Sequence, residues 1–248
     1  MIPVLAVRDA SKRFGAVVGL DRVDLDVAAG EVLALLGDNG AGKSTLIKCL
    51  SGALALDRGT IEMDGRTVAI HSPADARNLG IETVYQDLAL FDNLRPSDNF
   101  YAGRELATPR WLPRSIRVLK RREMAETTRS TLDRLQVRLD DNGVVGLLSG
   151  GQRQGVAVAR AASFASRVVI LDEPTAALGV RESRRVLDLI LRLRDEGKAV
   201  IVVSHAMDHV MEVADRAVVM RRGRKVGELT PSAETYSEIV SLIVGGGG

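Results

Sequence analysis

The sequence lacks the features that define several large classes of protein. A single cysteine, Cys49, occurs among its 248 residues, so the chain cannot form an internal disulfide and has no paired cysteines for a zinc module. Its longest apolar runs, such as residues 200–203, are far shorter than the roughly 18 residues that a membrane-spanning helix needs. Charged residues precede any apolar run of signal-peptide length at the N-terminus, so we expect no export signal. These absences predict a protein of the reducing cytoplasm.

The chain also lacks a large excess of positive or negative charge. The chain has 34 lysines and arginines against 32 aspartates and glutamates, which gives a formal net charge of +2. Proteins that bind duplex nucleic acid through its phosphates present a strongly positive field. The near balance of charges therefore argues against a nucleic-acid partner.

Short β-branched runs bounded by glycine or aspartate alternate with helix-length patterns along the chain. They lie at residues 31–36, 167–171, 199–203 and 217–220. This alternation predicts an α/β fold with a mostly parallel sheet. The first thirty residues differ, because two of their segments alternate apolar and polar side chains and so predict an antiparallel β layer. Those two segments are residues 4–7 and 23–27.

A change of pattern near residue 88 predicts the domain organisation. From there to residue 162 the β-rich pattern gives way to charged, helix-period segments such as residues 122–136. We expect a single domain over residues 1–244, in which residues 1–87 and 163–244 form the core and residues 88–162 form an inserted helical subdomain. Residues 245–248, all glycine, are expected to form a flexible tail.

The pattern Gly-x-x-x-x-Gly-Lys-Ser follows one apolar strand and precedes a helical segment. It comprises Gly37, Asp38, Asn39, Gly40, Ala41, Gly42, Lys43, Ser44 and the adjoining Thr45. Glycines let backbone N–H groups curl around a polyphosphate, and the helix start adds partial positive charge. Lys43 is expected to reach the β and γ phosphates, Ser44 to bind Mg²⁺, and Thr45 to cap the helix or contact the α phosphate. The complete motif in this context favours nucleotide binding over a purely structural glycine-rich turn.

Two adjacent acids, Asp172 and Glu173, end the apolar run at residues 168–171. The carboxyl edge of a parallel sheet is where open α/β folds place their chemistry. Because side chains alternate along a strand, the two acids should have different roles. Asp172 suits a Mg²⁺ partner acting through water, and Glu173 suits a general base for the attacking water. A solvated strand end is the alternative, which the phosphate loop makes less favourable.

Two further polar residues follow apolar strands. His205 comes after residues 200–203, and it could donate to the γ phosphate or hold Glu173 and the water in line. A histidine with a purely structural role is the alternative. Gln86 follows the short run at residues 83–85, and its amide oxygen could contact the metal or the water and link the γ phosphate to the insert.

A second helix start with anion-binding potential occurs within the predicted insert. Ser149, Gly150, Gly151 and Gln152 follow Leu148 and precede a helix-period segment rich in alanine. ATP held on the phosphate loop leaves this second start without an anion unless the nucleotide of another chain occupies it. The sequence therefore predicts a head-to-tail homodimer with shared sites.

The order of these elements, namely phosphate loop, glutamine, Leu-Ser-Gly-Gly-Gln, Asp-Glu strand and histidine, resembles the ATP-binding subunits of ATP-binding-cassette (ABC) transporters. The resemblance covers nearly the whole chain. It implies a P-loop NTPase core with an N-terminal antiparallel β layer and an inserted helical subdomain, and ATP hydrolysis with Mg²⁺. It also implies that Phe14 stacks on adenine, with a buried core phenylalanine as the alternative.

Within that family, residues 37–43 and 173–179 look like bacterial monosaccharide importers of the ribose, xylose and fructose type. The resemblance implies a homodimer at the inner face of the cell membrane, beneath two permease subunits and fed by an extracytoplasmic sugar-binding protein. Gly179 stands where most of the family has an aspartate that bonds across the dimer. The sugar-importer branch shares this departure, so Gly179 does not indicate an inactive site.

Two other functions within the ABC family are alternatives to sugar import. ABC ATPases that act on DNA usually carry a long coiled coil or a zinc insert, and residues 104–146 have neither sustained heptads nor paired cysteines. Ribosome-acting ABC proteins need two cassettes in one chain and a basic linker, which are missing here. The unusually apolar segment at residues 87–94, which includes Phe91, instead predicts a contact with a permease.

Overall fold

The structure is a computed structural model and describes residues 2–108, 118–139 and 143–245. Its larger sheet has six strands in the order β12-β11-β3-β10-β9-β6. These strands are β3 (Val32–Leu36), β6 (Ile81–Val84), β9 (Val168–Asp172), β10 (Ala199–Val203), β11 (Arg216–Arg221) and β12 (Arg224–Leu229). All neighbours pair in parallel except β11 and β12, which confirms the predicted mostly parallel sheet.

The smaller sheet has four antiparallel strands in the order β2-β1-β4-β5. They are β1 (Leu5–Phe14), β2 (Val17–Val27), β4 (Arg58–Met63) and β5 (Arg66–Val68). The predicted alternation of buried and solvent-facing side chains is present in β2, because Val23, Leu25 and Val27 are buried and the aspartates between them are not. The antiparallel layer is confirmed, but the hairpin of β4 and β5 that completes it was not predicted.

The described residues also form eight helices and one short 3₁₀ turn. The helices are α1 (Lys43–Leu50), α2 (Pro73–Asn78), α3 (Pro96–Phe100), α4 (Arg121–Arg134), α5 (Gly150–Phe164), α6 (Val180–Asp195), α7 (Met207–Val213) and α8 (Tyr236–Val244), and the 3₁₀ turn is Val145–Leu147. α4 confirms the helix predicted near residues 122–136. Within the same stretch, β7 (Ala107–Thr108) and β8 (Val118–Leu119) form a small hairpin that the helix-period pattern did not predict.

The core lies on both faces of the six-stranded sheet. Every residue of β3 and β10 is buried, as expected for central parallel strands covered on two sides. α6 covers the sheet with an apolar stripe at helical spacing, made of Val186, Leu187, Leu189, Ile190 and Leu193. Cys49 is buried in α1, as its small apolar character suggests.

The last described helix, α8, ends where the terminal run of glycines begins. Gly245 ends α8 in the left-handed conformation, and residues 246–248 of the expected tail lie outside the described residues. None of the helices in the described ranges has both the length and the apolar character required to cross a bilayer.

Candidate nucleotide-binding site

The carboxyl edge of the six-stranded sheet gathers the predicted site residues. Register places Val84 beside Leu171, and Asp172 beside Val203, which in turn pairs with Leu35. The residues that follow these strands therefore emerge at one edge. They are the phosphate loop after β3, Gln86 after β6, Glu173 after β9 and His205 after β10.

The phosphate loop needs its glycines for two separate reasons. Gly37, Gly40 and Gly42 have φ values of 140°, 79° and 106°, the region that side chains with a Cβ rarely adopt. In addition, a Cβ on Gly37 would lie 2.2 Å from the carbonyl oxygen of Met220, and one on Gly42 would lie 2.6 Å from that of Gly19. The loop is thus packed against neighbouring backbone and held in a curled form ready for an anion.

Lys43 is the buried cation of this loop. Its side chain turns back over the loop, and Nζ donates to the carbonyl oxygens of Gly37 at 2.5 Å and Asp38 at 3.1 Å. Burial lowers the pKa of Lys43, while the carboxylates of Glu173 and Asp172 act in the opposite direction. The position and charge of Nζ suit phosphate binding, because a desolvated ammonium gains most from an anionic partner.

The two acids share burial and the same neighbouring cations, Lys43 and His205, so their separate roles stay a prediction. Burial raises the pKa of Asp172, and the nearby charges of Lys43 and His205 lower it. Burial also raises the pKa of Glu173, and His205 opposes that rise. A carboxyl group with a raised pKa binds a proton more readily than an exposed one, as a general base for water requires.

Glu173 and His205 lie side by side. Glu173 Oε1 is 3.2 Å from Nε2 of His205, and this oxygen is buried without a well-aligned hydrogen bond from the described part of the chain. Glu173 also has a φ of 52°, a left-handed conformation that is unusual for a residue other than glycine and that clusters at functional sites. Its backbone N–H donates to the carbonyl of Val203, which fixes the strained turn.

The remaining polar residues of the edge are open to solvent. Asp38, Asn39 and Gly40 at the loop tip are exposed, as are Ser44 and Gln86, whereas Ala41 is buried and Thr45 is half-buried. Ser44, Gln86 and Asp172 can therefore present oxygen atoms to a ligand at this edge.

Phe14 lies beside the loop at the end of β1. Its side chain is 46% exposed, so the buried-core alternative for Phe14 is wrong. The ring packs over Gly19, where an added Cβ would lie 2.8 Å from Phe14 Cε2 and 3.1 Å from the methyl group of Thr45. An exposed aromatic face next to the loop residue Thr45 is suited to stack on a base.

The Leu-Ser-Gly-Gly-Gln segment starts α5 with a reciprocal capping box. Ser149 Oγ accepts from the backbone N–H of Gln152 at 3.3 Å, and Gln152 Oε1 accepts from the backbone N–H of Ser149 at 3.0 Å. Ser149 and Gly150 are exposed. A Cβ added to Gly150 would contact Leu178, and one on Gly151 would contact Glu182, whereas the neighbours of the phosphate loop are Gly19, Met220 and Gly223.

Gly179 begins α6 in an extended conformation with no side-chain cap. A Cβ placed there would lie 2.6 Å from Oε2 of Glu182, so the carboxylate of Glu182 occupies the space beside Gly179. Glu182 lies in the first turn of α6, where a negative charge is favourable.

Several contributing residues were not predicted from the sequence. Gly223, in the turn between β11 and β12, donates its N–H to the carbonyl of Ala41 and accepts from Asp21 N, which supports the phosphate loop from behind. Thr175 Oγ1 lies 3.0 Å from His209 Nδ1 and connects the loop after Glu173 to α7. Of these two features, only the first has a signal in the sequence, namely the glycine at position 223, because the turn there requires a positive φ.

Arginines on α5 hold the segment that follows Gln86. Arg160 donates from Nη1 to the carbonyl of Ala89 at 2.9 Å and from Nη2 to the carbonyl of Leu88 at 3.0 Å. Arg153 forms an ion pair with Asp92. The helix that begins at the Leu-Ser-Gly-Gly-Gln segment is therefore bonded directly to the chain just after Gln86.

The apolar segment around Phe91 is folded around one buried amide. Asn99 is fully buried and accepts from the N–H of Phe91 at 2.7 Å, while its own amide group donates to the carbonyls of Phe91 and Arg95. The Phe91 side chain remains 54% exposed. An exposed aromatic ring on a hydrogen-bonded segment fits a partner contact.

Comparisons with known proteins agree on one family. A family model described as ABC transporter matches residues 20–176. The fructose import ATP-binding protein of Rhizobium meliloti is 49% identical, and the xylose/arabinose import ATP-binding protein of Sulfolobus acidocaldarius is 45% identical, each over 98% of this chain and 94% of the relative. A ribose import ATP-binding protein of Rubrobacter xylanophilus is 44% identical over 99% of this chain, which spans 48% of that protein. A nucleotide-free ATP-binding cassette from an ABC transporter superposes with a TM-score of 0.81 at 26% identity, covering 98% of this chain and 97% of that one.

Proposed function

The chain belongs to the ABC transporter family and is an ATP-binding, ATP-hydrolysing subunit, and from that premise we propose that it drives the uptake of a simple sugar. The observation that carries the proposal is the 49% identity, over almost the full length of both chains, to a protein named for fructose import. Relatives named for xylose/arabinose and ribose import support the same substrate class.

The site residues divide into those that bind and those that position water. Residues 37–45 hold the phosphates through backbone N–H groups, and Lys43 exchanges the loop carbonyls for phosphate oxygens. Phe14 stacks on the base. Glu173 accepts a proton from the attacking water, and His205, 3.2 Å away, orients that carboxylate and contacts the γ phosphate.

Mg²⁺ fits the donor set at the sheet edge. This cation takes few protein ligands, favours oxygen, and completes its shell with water and phosphate oxygens. The Ser44 hydroxyl, the Asp172 carboxylate and the Gln86 amide present such oxygens, and all three lie at the carboxyl edge without being fully buried. Bound there, the metal would supply neutralising charge to the phosphates.

The active form is a head-to-tail homodimer in which each ATP lies between the phosphate loop of one chain and the Ser149 segment of the other. The two segments have different neighbours within one chain, and the Ser149 helix start is exposed. Ser149, Gly150, Gly151 and Gln152 thus complete the partner's site through backbone N–H groups and the hydroxyl.

Complementation tests the shared site. A Lys43→Ala chain and a Ser149→Arg chain, both carrying Glu173→Gln to block turnover, place both lesions in one site of the mixed dimer and leave the other intact. Nucleotide trapping should appear in the mixture and in neither parent. The control is the heterodimer of a chain carrying both lesions and a Glu173→Gln chain, isolated through two different affinity tags so that no Glu173→Gln homodimer is present. That dimer has one defect in each site and should trap nothing, while trapping equal to that of the mixture would refute the model.

Partners and location follow from the same proposal. Residues 88–162 act as a helical subdomain that moves on the core, and the exposed Phe91 contacts a membrane permease. The dimer would lie at the inner face of the cell membrane, with a sugar-binding protein on the other side and no nucleic acid bound.

Co-purification tests the proposal. The full-length chain should bring down membrane permease subunits, and sugar uptake by the reconstituted complex should require ATP. Retention on DNA or on ribosomes at physiological salt, without permeases, would instead favour a non-transport ABC ATPase.

A further inference from the structure

A cleft separate from the nucleotide site lies between the end of α4, the start of α5 and the outer face of α6. Its volume is 690 Å³, within the range of about 300–1,000 Å³ typical of small-molecule pockets. Its lining includes Gly151 and Gln152, so the cleft reaches the back of the segment that starts α5.

Apolar side chains lie beneath the cleft, and Val137 is the most exposed of them. Leu135, Val137, Val186 and Leu189 line it, and all four belong to or pack against one hydrophobic core cluster. An added Cβ on Gly155 would lie only 2.8 Å from Val137 Cγ1, so the backbone of α5 approaches the wall closely. An apolar group in the cleft would therefore cover mainly Val137 and the aliphatic stems of the rim side chains.

The rim carries guanidinium groups from two sides. Arg185 and Arg192 are two turns apart on α6, a rise of about 10 Å, and Arg138 faces them from the chain after α4. Arg138 and Arg185 form no ion pair or side-chain hydrogen bond with any residue in the described ranges, and Arg192 donates from Nη1 to the carbonyl of Leu135. Unpaired guanidinium forks match phosphate and carboxylate oxygens.

Two carboxylates also line the cleft, and they do not cancel the positive rim. Asp188 lies 3.7 Å from Arg184, which is not part of the lining and pairs more closely with Glu212, so Asp188 keeps its charge at the rim. Asp133 is the other acid. Three arginines against two acids leave a net charge of +1 at the rim, with the guanidinium groups of Arg138 and Arg185 unpaired among the described residues.

We propose that this cleft binds a small organic anion, with a phosphate or carboxylate head on a compact apolar body, and that its occupant slows ATP hydrolysis. The head would bridge Arg138 to Arg185 and Arg192, and so tie the α4–α5 segment to α6. Arg138 is connected to the start of α5, because Gln152 Nε2 donates to its carbonyl at 3.4 Å and Gln152 caps Ser149. Binding would therefore restrain the segment that completes the partner's site.

Calorimetry on the wild-type chain tests binding, with a non-hydrolysable ATP analogue present in excess to fill the phosphate loop. The probes are phenyl phosphate, benzoate and inorganic phosphate. Phenyl phosphate or benzoate should bind one per chain and at least about tenfold more tightly than inorganic phosphate, because only they can cover Val137 and the aliphatic stems of the rim side chains. The tighter of the two identifies the head group. Binding of neither, or equal binding of inorganic phosphate, would overturn the proposal.

Variants then locate the site. Arg138→Ala and Arg185→Ala should each weaken the bound probe by about tenfold or more, whereas Arg77→Ala, at an exposed arginine of α2 outside the cleft, should not. Arg185→Lys keeps the positive charge but lacks the planar guanidinium group, so it should also weaken the probe. It replaces Arg185→Ala if the alanine variant does not fold. Equal affinity in all variants would show that the probe binds elsewhere.

Turnover tests the regulatory consequence. At saturating ATP, the bound probe should lower the hydrolysis rate of the wild-type chain and leave that of Arg185→Ala unchanged. Equal inhibition of both would place the effect at the nucleotide site, and binding without inhibition would overturn the regulatory role. Binding to the isolated chain needs no transport, so failure here is distinguishable from failure of the sugar-import proposal.

Discussion

Replacing Arg160 by methionine should loosen the segment after Gln86 while leaving the rest of the fold in place. Each of its two hydrogen bonds, to the carbonyls of Leu88 and Ala89, has a charged donor and is worth about 1.5–3 kcal/mol. Part of this is offset, since burial lowers the pKa of Arg160 and so disfavours its charge, and since the freed carbonyls can turn to water. A net loss of about 2–3 kcal/mol in the local opening free energy follows.

Hydrogen exchange measures that loss directly. The N–H of Phe91, which donates to Asn99, should exchange about 30–150 times faster in Arg160→Met, because 1.4 kcal/mol corresponds to a factor of ten. Arg153→Met is the matched control on the same helix. It removes only a solvent-exposed ion pair with Asp92, worth under about 1 kcal/mol, so exchange should rise less than about fivefold. Wild-type exchange in Arg160→Met, or equal changes in both variants, would refute the role assigned to Arg160.

Four further predictions concern the nucleotide site and its partner surface. Glu173→Gln should keep ATP binding and lower turnover by about 10² to 10⁴-fold in a phosphate-release assay; near-normal hydrolysis would place the general base elsewhere. Because burial raises the pKa of Glu173 and the charge of His205 lowers it, the acid limb of kcat/KM against pH should lie above that of an exposed glutamate and move further up in His205→Ala; a downward shift would contradict the assignment. Lys43→Ala should weaken ATP binding about tenfold or more by equilibrium titration, and unchanged affinity would count against the phosphate-loop role. Phe91→Ser should reduce permease association and sugar uptake while ATP binding by the isolated chain stays intact, since the ring is exposed; loss of ATP binding as well would point to misfolding instead.

The central sheet and the phosphate loop could be predicted because their signals are local. Apolar runs of four or five residues mark β3, β9 and β10, and the glycine spacing marks the loop. The antiparallel layer was predicted only in part. The pairing of β1 with β4 joins residues that are 47 to 58 positions apart, and no periodicity within either segment encodes it.

Contacts around the site were predictable to a lesser extent. The closeness of Glu173 and His205 follows from strand order, because β9 and β10 are neighbours and both residues come just after them. The hydrogen bonds of Arg160 and the support that Gly223 gives to Ala41 depend on long-range packing that is specified by the whole chain. The sequence alone offers an arginine on a helix and a glycine in a turn, which have many structural uses.

The capping box at the start of α5 uses the Ser149 hydroxyl in one direction only. Its oxygen accepts the N–H of Gln152, while its own proton remains available as a donor. The capping box therefore fixes the segment before a second chain approaches. Dimer closure then does not bear the entropy cost of ordering it. A threonine at this position would preserve both uses of the hydroxyl, an aspartate would preserve the cap but repel a phosphate, and an alanine would lose both. Helix stability and nucleotide recognition thus depend on the same hydroxyl group. A substitution that keeps only one of these roles, as aspartate does, measures the two contributions separately.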